Sequence, residues 1–129
     1  GVVILILIIL GLFFLFRKTV SKENLPPVVP NQAQTATFKT ILEINNEKYE
    51  SEITREKSVY DLMNKLRQEG KIDFKEKIYS GIGVFIEEIN GLRESGGQYW
   101  IYYVNGKKAQ VGVSNYKLKS GDIVSWKYE

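Results

Sequence analysis

Two Asn-Gly dipeptides, Asn90-Gly91 and Asn105-Gly106, constrain this chain more than any other feature of its sequence. Each supplies two successive residues that accept positive φ, the backbone of the tight hairpin turn whose twist matches that of paired strands. Between them Gln98–Val104 (QYWIYYV) has the aromatic and β-branched composition of a strand. Further upstream, Thr35–Asn45 alternates Phe38, Thr40 and Leu42 against Lys39, Ile41 and Glu43, the period of two expected of a half-buried strand. Asn45-Asn46 makes another tight turn, because Asn tolerates positive φ, and Lys48–Thr54 returns as the second strand of that hairpin. Ile72–Tyr79 and Val84–Ile89 read as strands separated by Ser80-Gly81-Ile82-Gly83, and Ile123–Tyr128 follows the turn signature Ser120-Gly121-Asp122.

One helix interrupts these strands. Val59, Leu62, Met63 and Leu66 fall at i, i+3, i+4 and i+7, a single apolar stripe, and this spacing makes Met63 core filler before anything functional. Ser58 and Asp61 have the spacing of a capping box with Asp in the usual Glu position, so Asp61 is a cap before it is a catalytic acid. Gly70 stands where a helix C-terminus favours a left-handed residue. The predicted order is β-β-α-β-β-β-β, an α+β domain over residues 35–129 in which one helix covers a β-grasp-like mixed sheet. A domain of this size buries a modest core, so its aromatic residues must supply much of it.

The N-terminal quarter is different. Residues 2–16 (VVILILIILGLFFLF) are apolar throughout, and every charged residue lies from Arg17 onward. A helix over that stretch would be roughly 22 Å long at about 1.5 Å per residue, slightly short of a bilayer core about 30 Å thick. A cleaved signal peptide has an apolar core of similar length but needs small residues after it, whereas Phe16-Arg17-Lys18-Thr19-Val20 follows here. The expectation is therefore an uncleaved transmembrane anchor or signal-anchor over residues 1–16, the membrane being one partner. Arg17, Lys18 and Lys22 flank it, but the orientation rule compares two flanks, and on physics alone topology stays open. Residues 17–34 hold Pro26, Pro27 and Pro30 and read as an extended, semi-rigid linker.

The sequence has no Cys and no His, which removes disulfides, thiolate nucleophiles, zinc sites and the commonest general base. No grouping of Asp, Glu, Lys, Ser or Tyr suggests a nucleophile and its base, so the chain reads as non-catalytic. Its 18 basic and 15 acidic residues are interleaved, as in Glu43, Glu47, Lys48, Glu50, Glu52 and Arg55, a solvated surface and not a nucleic-acid stripe. Glu87 and Glu88 lie on opposite faces of one strand and cannot act as a carboxylate pair.

Two candidate ligand-binding features remain. On the aromatic strand Gln98, Trp100, Tyr102 and Val104 share one face while Tyr99, Ile101 and Tyr103 share the other. Trp100 and Tyr102 are either core, as Trp126 would be, or an exposed aromatic platform of the kind favoured at binding surfaces. Ser80, Gly81, Ile82 and Gly83 form either a plain bend or a loop small enough to let a ligand approach the backbone. Ser95-Gly96-Gly97 could lie beside such a face.

The residues Gly83–Gly91 (GVFIEEING), Tyr99–Gly106 (YWIYYVNG) with Lys107-Lys108-Ala109, Val111–Ser114 (VGVS) and Tyr116–Trp126 (YKLKSGDIVSW) resemble the transcobalamin-like C-terminal domain family over roughly Thr37–Glu129. The resemblance implies the small domain of vitamin B12 carriers, a module also found on exported bacterial proteins. It implies an extracytoplasmic position for the folded domain, on a single-pass anchor in the cell membrane, and cobalamin or another ring-containing molecule as ligand. The carriers grip the corrinoid between this domain and a large helical barrel that these residues do not encode. One face of such a ligand would stay open, and affinity depends on enclosure. The alternative function is a cell-surface structural or protein-interaction domain without a small-molecule ligand.

Overall fold

The computed structural model describes residues 36–129. The anchor expected at 1–16 and the linker at 17–34 lie outside the described residues. No helix among the described residues is long and apolar enough to cross a membrane.

The described chain is an α+β fold dominated by strands, with one helix. Strands β1 (Thr37–Ile44) and β2 (Glu47–Thr54) form an antiparallel hairpin. Asn45 and Asn46 both take positive φ, at 48° and 72°, which a two-residue hairpin turn of this hand requires. Thr40, Leu42 and Ile44 are buried while their neighbours face outward, the alternation the sequence displays.

Helix α1 (Val59–Gln68) begins on the capping box: the Asp61 amide donates to Ser58 Oγ at 3.1 Å and the Ser58 amide donates to Asp61 Oδ2 at 2.7 Å. It ends on the reciprocal pattern of a left-handed cap, the Lys71 amide donating to Leu66 O and the Gly70 amide to Arg67 O, both at 3.0 Å, with Gly70 at φ 70°. Val59, Leu62, Met63 and Leu66 are fully buried in a core shared with Leu42, Val124 and Trp126.

The remaining strands are β3 (Phe74–Tyr79), β4 (Gly83–Ile89), β5 (Leu92–Arg93), β6 (Trp100–Val104), β7 (Lys107–Lys108) and β8 (Ile123–Tyr128). Instead of one mixed sheet they are divided between two. The larger runs β2-β1-β8-β6-β7, with β1 and β8 parallel and the other pairs antiparallel; the smaller runs β3-β4-β5. Both Asn-Gly dipeptides turn the chain as expected, but each returns only a two-residue strand, β5 and β7, that local composition does not announce. Trp100, Tyr102 and Val104 need a buried neighbour on their common face. They find it by pairing β6 with Val124 and Trp126 of β8 and not with the nearer β4.

A buried carboxylate ties the turns of the large sheet together. Asp122 accepts hydrogen bonds from Asn105 Nδ2 at 2.9 Å, Tyr116 Oη at 3.0 Å and the Lys119 amide at 2.9 Å, while its carbonyl accepts from Thr40 Oγ1 at 3.1 Å. These donors satisfy the buried side chain's acceptor oxygens.

Candidate functional site

The aromatic strand is sealed. Trp100 is 4% exposed and Tyr102 8%, and both polar ends are occupied. Trp100 Nε1 donates to Leu92 O at 2.7 Å, and Tyr102 Oη donates to Val111 O. Tyr102 stacks on Trp126 at 5.4 Å between ring centroids, and Trp100 on Tyr128 at 5.3 Å. Burial, with the Tyr116 ring system nearby, pushes the Tyr102 hydroxyl up to about 12. Of the two readings of Trp100 and Tyr102, core or exposed platform, their burial matches the core. Their face of β6 is the one that must cover the helix, and a buried Tyr or Trp is stable where its polar end finds a partner, as here. On the other face of β6, Tyr103 is half-buried beneath Lys127, whose Nζ lies 4.5 Å from the ring centroid, and its hydroxyl donates to Glu129.

The loop from Ser80 to Gly83 is the opposite case. Ser80, Gly81 and Ile82 are exposed and Gly83 is half-buried. The Ile82 amide donates to Tyr79 O at 3.2 Å, and Gly81 and Gly83 take φ of 79° and 102°. Gly83 is required twice over, since a Cβ there would also stand 3.2 Å from Ser114 Oγ. That close approach presses the β3–β4 turn onto the 112–115 turn. Ile82 projects from it at 76% exposure and Ile78 beside it at 72%. On the hairpin's other face Tyr79 and Phe85 meet edge-to-face at 6.5 Å, with Lys77 Nζ 5.0 Å from the Tyr79 ring centroid.

Ile82 was legible as part of a small loop. Ile78, Tyr79, Phe85 and the exposed Val111 were not singled out. A signal for them exists: Ile78 and Tyr79 are adjacent, so an alternating strand cannot bury both. Next to this tip, Val104, Lys107, Lys108, Ala109, Val111 and Tyr116 help line a shallow groove of about 480 Å³. Lone surface apolar residues are ordinary, whereas a cluster of them marks a contact surface.

The carboxylates do not converge into a reactive site. Glu87 pairs with Arg93 at 2.9 Å and Glu88 with Lys75 at 3.0 Å, so the two neighbours indeed face different partners. Glu76 is held by Arg67 at 3.1 Å and by Tyr60 Oη at 2.9 Å. Burial works to raise its carboxyl, but the Arg67 and Tyr60 hydrogen bonds prevail and hold it below the ordinary carboxylate range. Asp61 is likewise lowered: burial opposes, and the Ser58 amide and hydroxyl outweigh it. Among the described residues no three His, Cys, Asp or Glu side chains group as a metal site.

Residues 56–129 match the family DUF4430, described as a domain of unknown function. The chain is similar to haptocorrin, solved in complex with Cbi, at 20% identity and a TM-score of 0.62, a match covering 73% of this chain and 26% of haptocorrin. It is also similar to a protein of Ruminococcus gnavus, provisionally described as metal binding, at 13% identity and a TM-score of 0.50, covering 72% of this chain and 95% of that one. This chain therefore spans about a quarter of haptocorrin's length, and at these identities both likenesses carry the fold alone. None of the curated proteins matches the sequence.

Proposed function

Because this chain belongs to the DUF4430 family and shares a fold with haptocorrin's matching portion, we propose that it is a non-catalytic binding domain of the transcobalamin C-terminal-like type, held at the outer side of a membrane by residues 1–16. The observation that carries the binding role is the β3–β4 tip, where Ile78 and Ile82 are 72% and 76% exposed and Tyr79 and Phe85 are also exposed. A cluster of exposed large apolar side chains marks a surface that meets a partner.

The large sheet supports the β-grasp-like reading. Its central strands β1 and β8 are parallel, α1 follows the first hairpin, and β3–β5 are an addition between the helix and β6. The tip is convex and the groove beside it is shallow, so a corrinoid or other ring-shaped ligand would be touched on one face. Enclosure is what makes small-molecule sites tight, and the chain alone should bind such a ligand weakly. The alternative, a protein partner, is served by the same tip.

Two measurements test the proposal on the full chain. Without protease the chain should stay with the membrane fraction, and protease added to intact cells should remove the domain; survival of the domain through that treatment would sink the extracytoplasmic assignment. Equilibrium dialysis against cyanocobalamin should give binding no tighter than about 10 μM, in line with a ligand held on one side. Sub-micromolar binding by the chain alone would contradict the one-faced contact.

A further inference from the structure

The tip does not stand alone at its end of the molecule. A Cβ on Gly112 would lie 3.9 Å from Ile82 O, and Gly83 meets Ser114. From that turn the Tyr60 amide donates to Val113 O at 3.0 Å and the Val59 amide to Tyr116 O at 3.2 Å, which brings in the N-terminus of α1. Lys117 bridges Ser58, the Leu118 amide donates to Lys57 O at 2.9 Å, and the Arg55 amide donates to Ala36 O at 3.4 Å. The β3–β4 tip, the 111–116 segment, the helix start and Ala36 are thus linked by a run of neighbouring contacts at one end of the described domain.

That end is basic as well as apolar. Arg55 and Lys119 line one groove beside Ala36, and Lys107 and Lys108 line the groove beside Val111. With Lys57, Lys117 and the tip's own Lys77 they make seven cations, none of which forms a salt bridge among the described residues. Two acids stand among them: Glu56 beside Arg55 and Lys57, and Asp61 at the helix start, close enough to Lys57 and Lys117 to feel their charge. Elsewhere the described lysines and arginines are largely paired: Lys48 with Glu43, Lys65 and Lys71 with Glu69, Arg67 with Glu76, Lys75 with Glu88, Arg93 with Glu87.

Protruding isoleucines on an end that also carries Lys and Arg without salt bridges have the chemistry of a surface that dips into the lipid interface. The apolar side chains enter the headgroup–acyl boundary, aromatic residues such as Tyr79 and Phe85 suit that level, and the cations meet anionic headgroups. Long Lys side chains reach from an apolar base to the charged layer. We infer that the partner of the β3–β4 tip is an anionic lipid surface, and that the domain rests tip-down on the membrane to which the chain is tethered. This rests on the tethered-domain reading above and names the partner of its exposed tip.

The absence of native Cys allows single-site labelling. The full chain carrying Ile82→Cys, or Glu47→Cys beside the β1–β2 turn, would be labelled with a polarity-sensitive fluorophore. It is then reconstituted into vesicles of phosphatidylcholine with or without phosphatidylglycerol. Docking predicts a blue shift at position 82 and several-fold stronger quenching there by spin-labelled lipid when phosphatidylglycerol is present. Position 47 should report water in both, and adding Lys107→Glu with Lys117→Glu should return position 82 to a water-like signal. A chain retained by vesicles whose position 82 reports water in both lipids would overturn docking and leave the tether standing. A chain not retained by vesicles would overturn both. A shift at position 82 produced by cyanocobalamin without vesicles would assign the tip to a ring ligand instead.

Discussion

Trp100 and Tyr102 on β6, and Tyr79 and Phe85 on the β3–β4 hairpin, are both pairs of aromatic residues on strands of one small domain, yet they have opposite fates. The first pair stacks on Tyr128 and Trp126 with its polar ends bonded to Leu92 and Val111. The second stacks only on itself, beside Ile78 and Ile82 in solvent. Aromatic content and strand propensity do not distinguish them. What distinguishes them is position relative to the helix: the inward face of β6 lies in the core with α1, whereas the β3–β4 hairpin extends past Ile86 and Phe74, its last buried residues, to a tip whose Ile78 and Ile82 side chains are exposed. The sealed group holds the fold, and the open group is the surface for which a lipid partner is proposed.

Substitutions should separate the two regions by size of effect. Trp100→Ala removes a buried ring and strands Leu92 O, so unfolding by urea should show a loss of about 3–5 kcal/mol. A loss comparable to an exposed site would mean the β6 face is not sealed. Glu76→Gln weakens the Arg67 and Tyr60 contacts where the hairpin joins the helix and should cost about 1–2 kcal/mol at neutral pH. Its pH dependence sharpens the point. A carboxyl lowered in the folded state contributes stability that is complete above its ordinary value of 4.5 and is lost as pH falls through the lower folded value. The wild-type should therefore lose stability below about pH 4.5, and the gap to Glu76→Gln should narrow there, with Asp61 and Glu43, also lowered, leaving a residual slope. Ile82→Ser should change stability by less than about 0.5 kcal/mol, measured by the same unfolding, and a larger loss would place Ile82 in the core after all.

Much of the fold was legible. The Ser58–Asp61 box, the four-residue stripe of α1, Gly70 as its stop and the two-Asn turn between β1 and β2 are local, and each is satisfied by atoms a few residues away. The two-residue returns β5 and β7 were not, because strands that short carry no periodicity. The site was half legible. Ser80–Gly83 is marked by its glycines, but the exposure of Ile78 and Phe85 depends on where the core stops. The Asp122 carboxylate looked like turn punctuation and is a buried hub, since its partners Asn105 and Tyr116 come from other segments.

What the sequence alone determined was everything set by neighbouring residues: turn positions, the helix and its caps, strand alternation, and the exclusion of thiol and imidazole chemistry. Only the tertiary structure decided which strands pair across the chain and which aromatic face is closed. Burial is a property of what packs on a surface: Trp100 is closed by residues distant in the chain, whereas Ile82 stays exposed where the core ends.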